Sequence, residues 1–184
     1  MRRAAFVLAG LLALTACDRL SPPAARDDAP TASGAFVYEA GNDLSGYYLP
    51  TAEVRIGPWS LHDVFVGQQT DFASWEGGSR SGTFAPVMIE FEDVTSAMVR
   101  NEIGEARAGQ ARVIPTRYSV TDSAVHFEGR SAELGRVTFE GRLDAGALAT
   151  ARRNLGDDAV VLTGTLVAGG QTVRNVRLRW WMGD

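Results

Sequence analysis

The feature that most constrains this chain is a series of short runs rich in β-branched and aromatic residues, parted by glycine, aspartate and serine turns. Val64–Val66, Val87–Phe91, Val113–Val120, Ala124–Glu128, Arg136–Leu143, Val160–Val167 and Thr172–Trp181 read as strands. In Val87-Met88-Ile89-Glu90-Phe91-Glu92 the period is two, so Val87, Ile89 and Phe91 face one side and Glu90 and Glu92 the other. Such alternation belongs to a sheet with one solvated face. Gly169 and Gly170 part the last two runs and predict a closing antiparallel hairpin, with Val160–Val167 paired to Thr172–Trp181. The expected fold is mainly β, an antiparallel sandwich or barrel-like sheet.

One helix is expected within this background, over about 144–156, just before the hairpin. Asp144 suits an N-cap, Leu143 and Leu148 a hydrophobic staple, and Gly156 a left-handed C-terminal position. Leu148, Ala151 and Leu155 would form its apolar stripe. A second, weaker helical pattern covers Ser96–Arg107. Phe127-Glu128-Gly129-Arg130 returns as Phe139-Glu140-Gly141-Arg142, which reads as two neighbouring strands that each carry a core phenylalanine and a turn glycine.

The amino terminus is of another kind. Arg2 and Arg3 precede an apolar run from Ala4 to Leu14, followed by Thr15-Ala16-Cys17, the layout of an export signal. A membrane span needs roughly 20 apolar residues, and this run stops well short of that. Leu14-Thr15-Ala16-Cys17 resembles the lipobox of bacterial lipoproteins, with the chain's one cysteine at the lipid-bearing position. The resemblance implies lipidation of Cys17, cleavage between Ala16 and Cys17, and a membrane partner reached through that anchor. It covers the first 17 residues and implies nothing about the rest. Phe6 and the absence of a following lysine depart from the twin-arginine pattern, so the general secretory route is expected. The location is then the cell membrane, facing the periplasm in a Gram-negative cell. Asp18 resembles an inner-membrane retention signal, and an outer-membrane site stays open.

Cleavage removes Arg2 and Arg3, leaving a chain more acidic than the full sequence with its net charge of −4. Neither phosphate-rich nucleic acid nor anionic lipid is an electrostatic partner for it. Residues 17–35 hold the lipidated cysteine and a proline-rich stretch with one large apolar residue, Leu20, and are expected to be a flexible tether reaching at most about 60 Å. Residues 36–184 are expected to form one globular domain.

No catalytic motif stands out. Without lysine there is no phosphate-binding Walker loop, and a lone cysteine excludes a thiolate zinc site. Gly77–Gly82 reads as a loop rather than a nucleophile elbow. His62 and His126 stand far apart, and alternation along a strand would direct His62 and Asp63 to opposite faces. His126 reads as an exposed strand residue. Glu90 and Glu92 would need a third carboxylate to hold a cation, and Arg177 and Arg179 are their expected cross-strand partners. No cofactor, metal site or catalytic residue is therefore assigned. Trp181 and Trp75 are the candidate contact surface, since in Trp180-Trp181 one ring must face each side of the strand, with Trp180 in the core.

These readings favour a noncatalytic binding or structural module held at the envelope by lipid, whose partner is an envelope protein or lipid. Two alternatives stay open. The strand pattern with its closing hairpin also resembles small periplasmic lipid-binding barrels, which implies a carrier with an apolar ligand inside. An envelope hydrolase could assemble its site from separate strands.

Overall fold

The computed structural model describes residues 35–101 and 104–183. The export signal, the lipobox with Ala16 and Cys17, and the tether up to residue 34 lie outside the described residues.

Eight antiparallel strands close into a barrel: β2 (Gly46–Pro50), β4 (Trp59–Val66), β5 (Val87–Asp93), β8 (Gln110–Thr121), β9 (Ala124–Ser131), β10 (Gly135–Leu143), β11 (Val160–Ala168) and β12 (Gln171–Trp181). Each pairs with the next in this order, and β12 returns to β2. The chain thus runs up and down around the wall, and closure removes the unpaired edges that an open sheet would present. β1 (Phe36–Tyr38) lies parallel beside β8, and β3 (Arg55–Ile56) pairs with β4.

All seven strands expected from the sequence fall within this ring. The eighth, β2, joins β12 to β4 and completes it. Gly169 and Gly170 take positive φ of 54° and 72°, and the hairpin they form pairs β11 with β12 as expected.

Two of the sequence expectations change. Ser96–Arg107 is no helix: Met98–Asn101 (β6) and Gly104–Arg107 (β7) form a small antiparallel ribbon of their own. The expected second helix is instead α1 (Gln69–Glu76), which buries Phe72 and Trp75. The helix expected before the closing hairpin is present as α2 (Ala145–Arg153), with the Asp144 carboxylate accepting from the Ala147 N–H at 2.9 Å. It ends at Asn154, so Leu155 leaves the helical stripe and stands 69% exposed.

A barrel of eight strands has an interior just wide enough for side chains to fill. Here Phe91, Phe127, Phe139, Leu162, Leu166 and Leu178 point inward and are almost wholly buried. Gly141 and Gly164 pair directly across β10 and β11, and the Phe139 ring lies over both. A methyl group at Gly141 would come within 2.5 Å of that ring, and one at Gly164 within 2.7 Å. The repeated Phe-x-Gly therefore records a ring packed over a wall glycine two residues on. Gly129 and Gly141 are interior strand residues, not turn residues.

The register places the starts of β2, β5, β9 and β11 at one end of the barrel, together with both helices. There Phe72 stacks on Tyr38 and meets Tyr118 edge-on, while Leu148 and Ala151 of α2 are buried. Ile56 and Leu134 are buried beside the Gly169 turn at the other end.

Candidate functional site

Because the interior is occupied by core, functional chemistry must be sought on the outside of the wall. Two neighbouring regions of it depart from an ordinary solvated sheet.

The first is aromatic. Trp181, Tyr47, Phe65 and Met88 stand opposite one another across β12, β2, β4 and β5, all on the outer face. Ring centroids are 5.7 Å apart for Trp181–Tyr47 and 5.2 Å for Tyr47–Phe65, and Phe84 extends the series with an edge contact to Phe65 at 5.8 Å. Trp181 is 37% exposed, Phe84 42% and Met182 58%. A groove of about 540 Å³ runs from this row over the barrel rim, where Asp43, Asp71 and Arg152 add charge. Arg152 holds its place by donating to the Ser45 carbonyl at 2.9 Å, pairing with Asp43 and lying over the Trp180 ring. Hydrogen bonds from Ser45 and Arg152 outweigh the partial burial of Asp43 and hold its carboxyl below the ordinary aspartate range.

The adjacent tryptophans divide as expected. Trp180 is buried, with its indole N–H donating to the Ser45 carbonyl at 2.9 Å, and Trp181 lies on the outer wall. Trp75 does not join that surface. It is 5% exposed, packs edge-on against Phe36 and carries the Arg80 guanidinium over its ring. The helical turn of α1 directs it inward.

The second region is polar. Between Leu61 and Asp63 the pairing of β4 with β5 shifts register at a β-bulge, and His62 is the residue that has no place in the pairing. Leu61 and Val64 both remain buried, so His62 and Asp63 come to lie on the same, outer side. Strict alternation is thereby broken, and the expectation of opposite faces fails. His62 Nδ1 is 2.7 Å from Asp63 Oδ2, and Nε2 is 3.7 Å from Glu92 Oε1. The hydrogen bond to Asp63 raises the His62 pKa above that of a free imidazole; partial burial opposes this, and the charges of Asp63, Glu92 and Glu90 add to it.

Asp63 stands directly opposite Glu90 in the register and is only 2% exposed. Its Oδ1 has no hydrogen-bond partner among the described residues. Glu90 pairs with Arg112, its neighbour on β8, which also donates to the Thr83 carbonyl at 2.9 Å. The expected partners on the last strand are not used: Arg179 reaches Asp158 at 3.5 Å instead, because two strands, β4 and β2, stand between β5 and β12 around the wall.

His126 supplies a contrast. It faces Glu140 in regular cross-strand register, and both side chains are about half exposed, as an ordinary surface pair would be. The spacing of Leu61, Val64 and Val66, three and then two, is the sequence signal that marks the bulge. Tyr47 and Phe65 needed β2 to be recognised before they could be placed beside Trp181. Comparison of the chain with protein-family models, with curated proteins and with solved structures found no match.

Proposed function

We propose that this protein is a bacterial envelope lipoprotein, anchored through lipid on Cys17, whose barrel is a noncatalytic module that binds a protein through its outer aromatic wall. One observation carries the binding reading: the row Trp181–Tyr47–Phe65–Met88, extended by Phe84, lies outside a barrel whose interior is filled by its own side chains. The exposed part of this row, Trp181 and Phe84 with Met182 beside them and Arg152 at the rim, has the composition of a protein interface. The carrier alternative loses support for the same reason, since Phe139 and its neighbours occupy the space that a ligand would need. With the membrane already held by the anchor, the aromatic wall is left for a neighbouring envelope protein within reach of the tether.

The anchor is tested in cells. Cys17→Ser is expected to abolish lipid labelling and leave the signal uncleaved by the lipoprotein peptidase, and a labelled mutant would overturn the reading. For the binding wall, a photo-crosslinking amino acid is placed at Trp181 or at Arg117, an exposed position on β8. A discrete protein adduct from position 181, lost when Phe65 is replaced by alanine and absent from position 117, is the expected result. Equal adducts at both positions, or none at position 181, would contradict it.

A further inference from the structure

We propose that His62, Asp63 and Glu90 form a site for one divalent transition-metal ion of the zinc class, built by the β-bulge in β4. One ligand atom from each residue lies within 4.8 Å of the other two, a spacing that a single ion can bridge after small side-chain rotations. The inference does not depend on the aromatic wall or on the anchor.

Three independent features meet at this point. First, Asp63 is sealed from water, and while its Oδ2 pairs with His62, its Oδ1 has no partner among the described residues, so half of a buried carboxylate is left unsatisfied. Second, Asp63 and Glu90 are directly opposed across adjacent strands, where like charges repel, and Glu92 adds a third carboxylate beside the ring. Arg112 is the one arginine paired with this group among the described residues, and it engages Glu90 rather than Asp63. A divalent cation between Asp63 and Glu90 would supply the missing charge. Third, an imidazole beside two carboxylates is a mixed nitrogen and oxygen donor set, which suits zinc and its neighbours rather than calcium or magnesium. The sequence provided Glu90 and Glu92 without a third carboxylate. The bulge supplies it, by turning Asp63 to the side where His62 already stands.

The test is calorimetric titration of the full mature chain with zinc, alongside melting curves with and without the ion. Expected are one ion per chain and a raised melting temperature, because the ion binds the folded state. Asp63→Asn is expected to weaken binding by about tenfold or more, and Glu90→Gln likewise, while His126→Ala leaves it unchanged. The melting temperature of Asp63→Asn without metal is recorded beside it, so that loss of the His62 hydrogen bond is separated from loss of the ion. If that variant does not fold, Glu90→Gln alone decides. Absence of saturable zinc binding to folded wild type, equal binding by wild type and Glu90→Gln, or equal stabilisation by calcium would each overturn the proposal.

Discussion

The inside and the outside of this barrel are made from the same strands, yet they follow different rules. Across β9, β10 and β11 the inward positions pair in unbroken register: Gly141 opposes Gly164, Phe139 opposes Phe127, and the rings fill the space that the glycines leave. Outward positions keep register only in part. Where they do, as at His126 and Glu140, the result is an exposed pair. Where the pairing of β4 with β5 bulges, at His62 and Asp63, a similar pair becomes half sealed; the nearby aromatic row keeps register but carries rings in place of charge. The bulge makes one distinctive place by moving a carboxylate to the outer side, and the aromatic row makes the other through its side chains alone, in regular register.

Packing of the inside has the largest consequences. Phe139→Ala removes the ring that covers two wall glycines and should cost about 3–5 kcal/mol in chemical denaturation. A loss below about 1 kcal/mol would mean that the interior tolerates empty space. Next in size is Gly141→Ala, whose added methyl meets the Phe139 ring and should destabilise by about 1–3 kcal/mol. Were the barrel a carrier with room inside, the same methyl would be harmless. The smallest effect belongs to the regular outer surface, where His126→Ala should change stability by no more than about 0.5 kcal/mol despite its pairing with Glu140. A larger change would show that this pair also has a buried role.

Much of the fold was legible in the sequence because the wall is a meander, in which neighbours in sequence are neighbours in space. Seven strands and the Gly169-Gly170 turn carry their own local signals. β2 does not: Gly46-Tyr47-Tyr48-Leu49-Pro50 is short, lacks alternation of apolar and polar residues and ends in proline. It acquires its conformation by pairing on both sides, and without it the choice between sandwich and barrel could not be made. The site was less legible for a related reason. Glu90 and Glu92 were visible as a pair, but their true partners come from β4 and β8, and the position of Asp63 depends on one irregular step in pairing. The helical pattern over Ser96–Arg107 is weak, with Gly104 and Val99 against it, and cross-strand pairing prevails there.

One side of the wall is core and the other is the outer surface, and β12 presents both in adjacent residues. The most direct measurement is the melting temperature of Trp180→Ala beside that of Trp181→Ala. Trp180 is buried and bonded to Ser45, so its loss should cost about 3–5 kcal/mol and lower the melting temperature by many degrees. Trp181→Ala should melt close to the wild type, having lost only contacts on the outer row. Equal large losses would make Trp181 part of the core, and equal small losses would make the whole strand peripheral; either would contradict the account.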